Sequence, residues 1–248
     1  MTAAATDFRP GFRRRIVVSA QAGAALAMLE DDIHCLSVTL RHDGERVKGI
    51  EPLFERAPWT TCPGALARLT QTFAGQLLSD VTARREKKQN CTHLHDMAVL
   101  AAAHAGDRGR ITYDMLATDP RNGERILEIR RDGAAVHRWV ERGGKLVEPA
   151  ELAGQKLSTL RDWISSLGEP EQEAARLLQW AAIVAHGRTL PFEHQSNASD
   201  MQLNCYTFQP ERVADAIRNP DRRDFSDASL VPLAGFGDRV LAELRGNR

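Results

Sequence analysis

The stretch Val38-Thr39-Leu40-Arg41-His42-Asp43-Gly44-Glu45-Arg46-Val47 decides the fold. Asp43-Gly44 is a two-residue hairpin signal, because both residue types tolerate positive φ. Upstream, residues 33–41 alternate as a strand, with Ile33, Cys35 and Ser37 on one side. Downstream, residues 46–54 form the return strand. Arg15-Ile16-Val17-Val18 is an earlier β-type run. Order is expected from Arg13, after a flexible tail over residues 1–12 that holds Pro10 and Gly11.

The second half echoes the first. Leu127-Glu128-Ile129-Arg130-Arg131-Asp132-Gly133-Ala134-Ala135-Val136 again turns on an Asp-Gly pair. Each hairpin is followed by a Glu-Pro pair, Glu51-Pro52 and Glu148-Pro149, and each then leads into two helices. In the first half, Pro63 suits a first helical turn, and Leu66, Leu69, Phe73 and Leu77 follow at helical spacing. A basic connector over residues 84–88 leads to a second helix over 93–103. In the second half the pair spans 157–166 and 171–185. The second helix of each pair ends near a histidine, His104 and His186. Two similar halves, 13–109 and 110–248, account for the echo; so does chance likeness between two common hairpins. Either way the fold class is α+β, antiparallel β-hairpins packed with helix pairs in a single domain. Further on, residues 201–208 alternate as a strand, 211–218 suit a short helix, 219–229 a charged loop and 236–244 a closing helix.

Composition narrows the function classes. A chain of 248 residues can bury a real core, and 42% hydrophobic with 27% charged residues is ordinary for a globular protein. Lysine plus arginine equals aspartate plus glutamate at 33 each, so there is no basic footprint for nucleic acid or anionic lipid. No apolar run approaches the roughly 18 residues of a membrane span. Cys35, Cys62, Cys91 and Cys205 form neither a C-x-x-C pair nor a disulfide-type spacing, and residues 1–12 lack the apolar run of a signal peptide. Free thiols and a cytoplasmic location are expected.

The densest reactive cluster is Cys91-Thr92-His93-Leu94-His95-Asp96. Thr92 suits an N-cap, which places His93 in the first helical turn. Unpaired N–H groups there would lower a thiol pKa and favour a neutral imidazole or an anionic intermediate. The plainer alternative is a cap alone, with His95 facing solvent. Cys62 follows Trp59-Thr60-Thr61 at another expected N-cap, where a small buried thiol is the alternative. His34 lies in Asp31-Asp32-Ile33-His34-Cys35, on the strand face opposite Ile33. Beside Asp32 it suits an oriented general base, or else a structural histidine. Cys62, Cys91, His34 and His93 could also supply zinc ligands, although a Cys-x-His-x-His run on one helix does not point all its side chains one way. Tyr206, in Asn204-Cys205-Tyr206-Thr207-Phe208, could donate to a phenolic or carboxylate oxygen, or be a half-buried strand tyrosine. Trp59, Trp139, Trp163 and Trp180 suit core or pocket wall. Phosphate-loop, nucleophile-elbow and H-E-x-x-H motifs are absent.

Three stretches together resemble a bacterial family, domain-of-unknown-function family 2889. They are Ile33-His34, Ala57-Pro58-Trp59-x-x-Cys62-Pro63 and Cys91-Thr92-His93-Leu94, with Leu69 to Leu78 and Gly75 matching an intervening helix-and-glycine segment. The likeness covers about residues 13–105. The chain departs from the pattern at Asn90, where glycine is common, and at Cys35, where an aspartate commonly follows the histidine. The resemblance implies breakdown of lignin-derived aromatics, including cofactor-independent lyases that release formaldehyde from a hydroxymethyl side chain.

Such a lyase needs a base for the alcohol proton, an acid for the departing oxygen and a group that holds the phenol. His34 and His93 suit the first two roles, with Cys91 and Tyr206 as further donors or orienting groups. Trp59, Cys62 and Arg84 are the candidates for substrate binding. Neither cofactor nor metal is expected. The expected partner is a small aromatic substrate, and the chain is a candidate homo-oligomer. The competing expectations are a metal- or thiol-dependent hydrolase using Cys62 or Cys91, and a non-catalytic small-molecule-binding protein.

Overall fold

The computed structural model describes residues 9–189 and 196–246. Its fold class is α+β, built from antiparallel strands and α-helices. The described residues group into two compact units, each assembled from separated segments. One takes 15–112, 196–223 and 232–246; the other takes 9–14, 113–189 and 224–231.

In the first unit, β1 (Gly11–Gln21) from Arg15 onward, β2 (Ala24–Glu30), β3 (Cys35–His42) and β4 (Val47–Arg56) pair antiparallel in the order β4-β3-β2-β1. β2 is buried at every position. Its even residues Ala24, Leu26 and Met28 pack with Phe236, Val240, Leu241 and Leu244 of α6 (Phe236–Gly246). Ala25, Ala27 and Leu29 point to the opposite face. Helix α3 (Thr92–Ala103) packs against β2 and β3. A strand covered on both faces shows no polar alternation, so periodicity passes over it. Two short helices, α1 (Ala65–Phe73) and α2 (Leu78–Ala83), precede α3. Pro63 does open the first helical turn, in a 3-10 segment over Cys62–Gly64. Leu77 lies beyond α1, just ahead of α2.

The expected turns are present. Gly44 has φ 99°, and Asp43 Oδ1 accepts the N–H groups of Glu45 and Arg46, giving a loop longer than two residues. In the second unit, β5 (Gly109–Thr118) from Tyr113 onward, β6 (Glu124–Arg131), β7 (Ala134–Arg142) and β8 (Lys145–Glu148) run in sequence order. Asp132 and Gly133 both take positive φ, 50° and 85°, and Arg131 pairs with Ala134 in a tight two-residue turn. Helix α5 (Glu171–Ala185) packs on β6 and β7, preceded by α4 (Arg161–Ser166).

Several boundaries need correction. β1 already includes Gly11 and a buried Phe12, ahead of Arg13, while residues 1–8 lie outside the described residues. The helix expected over 157–166 divides into a 3-10 turn at Leu157–Thr159 and α4. Residues 201–208 are no strand, and 211–218 hold a 3-10 turn at Val213–Asp215 and an isolated bridge from Arg218 to Trp59 in place of a helix. Their backbone groups bond to distant loops instead of a neighbouring strand: Tyr206 N–H to the Asn90 carbonyl, Thr60 N–H to the Ile217 carbonyl. Among the described residues, no helix is long and apolar enough to cross a membrane.

In the second unit, His186 and Arg125 face the buried Glu141, with Arg125 Nη2 at 2.6 Å, and hold its carboxyl down to about 2. That stabilisation is present above the usual glutamate pKa near 4.5 and is lost as pH falls toward 2, a window that Glu141→Gln should flatten in acid unfolding. A Cβ on Gly133 meets no atom within 4 Å, so Gly133→Ala tests backbone conformation alone. The expected loss is about 1–2 kcal/mol in urea unfolding, and less for Gly133→Asn, which tolerates positive φ.

Candidate functional site

The turn that joins β2 to β3 is organised by one carboxylate. Asp31 Oδ1 accepts the N–H of Ile33 at 2.9 Å and of His34 at 2.8 Å. The same oxygen lies 3.0 Å from His34 Nδ1. An ionised carboxylate can only accept, so Nδ1 carries the proton and Nε2 is the basic nitrogen. Asp31 is fully buried and His34 is 6% exposed. His34 therefore sits in the turn ahead of β3, not on a strand face, and Asp31 is the carboxylate that holds its Nδ1. The reason is local: strand pairing begins only at Cys35 opposite Glu30, and the residue three positions before the histidine closes the turn.

Helix α3 supplies the second imidazole. Leu94, Met97, Ala98 and Ala101 are fully buried and seat the helix, with His93 in its first turn. The His34 and His93 rings stack with centroids 3.7 Å apart and planes at 26°. Asp31, His34 and His93 offer ligand atoms that all lie within 4.8 Å of one another. Two imidazoles and a carboxylate suit a divalent transition metal by type. Their geometry suits it less: nearly parallel rings carry their in-plane lone pairs in nearly parallel planes. Convergence on one ion needs a ring to turn.

The neighbouring cysteines depart from expectation. Cys91, not Thr92, occupies the N-cap of α3, and its side chain makes no capping bond. Thr61, not Cys62, precedes the first 3-10 turn. Burial pushes the Cys91 thiol up, outweighing the N–H groups of Leu94 and His93 that were expected to lower it. Burial also raises Cys62, whose Sγ lies 3.4 Å from the Thr207 hydroxyl, and pushes Cys205 up to about 11. Among the described residues, no cysteine joins the histidines in a metal-ligand group. All four cysteines are free.

His95 does not face solvent. It is 1% exposed because α3 is covered almost all round, and it packs on Phe73 at 5.2 Å. Its Nδ1 reaches Asp96 at 3.3 Å, while its buried Nε2 has no hydrogen-bond partner among the described residues. Burial pushes Asp96 up, but His95 and Lys87 together hold it below the usual range. Trp59 is buried with Ala57, Cys62 and Ala198, edge-on to Phe208 at 5.6 Å. Tyr206 is half-buried; its ring lies against Gly64 and under the Arg212 guanidinium at 3.9 Å. Arg84 is exposed over Phe73. So His34 and His93 meet directly, with Cys91 two residues from His93. Trp59, Cys62 and Tyr206 gather around the 3-10 turn at Cys62–Gly64, and Arg84 stays at the surface.

The chain matches no protein-family model, no curated protein and no solved structure.

Raised thiols give a direct measurement. Shifted from 9.0 to about 11, Cys205 should react with Ellman's reagent at pH 7.5 about 100-fold more slowly than in the unfolded chain, with Cys62 and Cys91 also slow. Because the folded pKa is the higher one, the contribution to stability holds below pH 9 and is lost as pH rises from 9 to about 11. Fast labelling of Cys91 in native protein would restore the activated-thiol expectation.

Proposed function

We propose that the protein is a cytoplasmic carbon–carbon lyase. It would act on a lignin-derived phenolic aromatic of the phenylcoumaran type and release formaldehyde by acid–base catalysis. The observation that carries the proposal is the buried Asp31–His34–His93 assembly, in which an oriented base lies against a second imidazole. Likeness to domain-of-unknown-function family 2889 in Cys91-Thr92-His93-Leu94 supports the substrate class and belongs to the same proposal.

His34 Nε2 takes the proton of the γ-hydroxyl. The oxygen's electrons form the formaldehyde carbonyl as the carbon–carbon bond breaks. The released pair makes a new carbon–carbon double bond and expels the benzylic ether oxygen, which takes a proton from His93. Formaldehyde, an alkene and a phenol result, with no change in overall oxidation state. Asp31 stabilises the imidazolium at His34 as it forms. Two cationic rings stacked at 3.7 Å repel, so protonation of one favours neutrality of the other. That asymmetry is what an acid–base pair needs.

One observation favours a second reading, a metal-dependent hydrolase: the three donor atoms of Asp31, His34 and His93 lie within 4.8 Å of one another. A thiol-dependent hydrolase has less support, because burial keeps Cys62 and Cys91 protonated.

Trapping formaldehyde from a phenylcoumaran-type alcohol tests the lyase. His34→Ala and His93→Ala should each lower turnover by about two to four orders of magnitude while melting curves stay cooperative. Formaldehyde release should persist in chelator. Loss in chelator with recovery on added zinc supports the metal reading, and a full-speed His93→Ala protein with normal melting removes His93 from the mechanism.

A further inference from the structure

Resting on the acid–base reading above, we propose that Arg56 is the positioning residue of His34, held in place for that purpose by Glu30. Arg56 comes from the end of β4 and is buried at 4% exposure. Its Nη2 donates to the Asp31 carbonyl at 2.6 Å and, more weakly, to the His34 carbonyl at 3.4 Å. Those two carbonyls belong to the first and last residues of the turn that carries the imidazole. Asp31 N–H closes the same turn onto the His34 carbonyl at 2.9 Å.

A guanidinium in that position would drift toward any better acceptor. Glu30 prevents this: its fully buried carboxylate accepts from Arg56 Nη2 at 3.0 Å. Glu30 is in turn fixed by Leu233 N–H at 2.5 Å and by Arg223 Nη1 at 3.2 Å. Arg223 N–H also donates to the Asp32 carbonyl at 2.8 Å, so the middle of the turn is held from the other side. Three of the four turn carbonyls thus accept bonds from Arg56 or Arg223. The Asp31 side chain orients the ring within the turn, and Arg56 orients the turn itself. Arg56 touches no reacting atom; it acts through the backbone, and a misplacement near 1 Å at a reacting group costs on the order of 100-fold in rate.

The test reads the His34 ring in the full chain. In nitrogen-15-labelled protein, long-range proton–nitrogen spectra report which ring nitrogen carries the proton, and His34→Gln assigns the signal. Arg56→Lys keeps the charge, but its side chain is one bond shorter, so the ammonium falls short of the point between Glu30 and the two carbonyls that Nη2 occupies. It should mix or reverse the His34 tautomer, now Nδ1–H, and lower kcat about 10- to 100-fold at nearly constant KM. Arg41→Lys, which disturbs only the exposed Arg41–Glu51 pair, should change neither. A folded Arg56→Lys protein with the wild-type His34 tautomer and kcat overturns the proposal. If that variant does not fold, Glu30→Gln replaces it with the same readout, since Gln can still accept from Leu233 N–H. If the wild-type protein releases no formaldehyde, the lyase reading fails alone, and the ring spectra still decide the role of Arg56.

Discussion

Glu30 ends a strand with its carboxylate out of reach of water, and an ionised group there must be surrounded by donors or the strand end cannot stay buried. Arg56, Arg223 and Leu233 N–H supply them. Each donor arrives from a different stretch of chain, so one carboxylate gathers β4 and two C-terminal stretches around the end of β2. Replacing Glu30 by an apolar residue would strand Arg56 as an uncompensated buried cation, the costlier half of a broken pair. The turn with Asp31 and His34 follows this end directly and takes its geometry from it.

The hairpin turns were legible because their chemistry is local. Asp43-Gly44 and Asp132-Gly133 need only residues that accept positive φ, and α5 starts and stops at the expected residues because its apolar stripe is continuous. β2 was illegible for the opposite reason. Its run Ala24-Ala25-Leu26-Ala27-Met28-Leu29 is buried on both faces, and burial on both faces erases the period that marks a strand. Residues 201–208 misled in the other direction: they alternate, but their backbone groups bond within loops, as Tyr206 N–H does to the Asn90 carbonyl.

The site was half legible. Residue types picked out His34 and His93 as the pair to watch, and their rings do meet. Sequence adjacency pointed to Asp32 as the partner, whereas an aspartate three residues before a histidine can cap the turn and hold the ring at once, as Asp31 does. Arg56 carried no signal at all, since it reaches the turn only through strand pairing. Cys91 shows how a local rule loses to a global one: the N-terminus of α3 favours a thiolate, but enclosure by protein costs the charge more than those N–H groups return.

The cover over the even face of β2 has a consequence for synthesis. Ala24, Leu26 and Met28 are packed by α6, among the last described residues to leave the ribosome. Until then the nascent chain carries a folded or half-folded strand with one greasy side uncovered. Such a chain is prone to sticking to its neighbours until α6 has emerged and docked. Truncation within α6 would leave every copy in that state, turning a transient hazard into a permanent one.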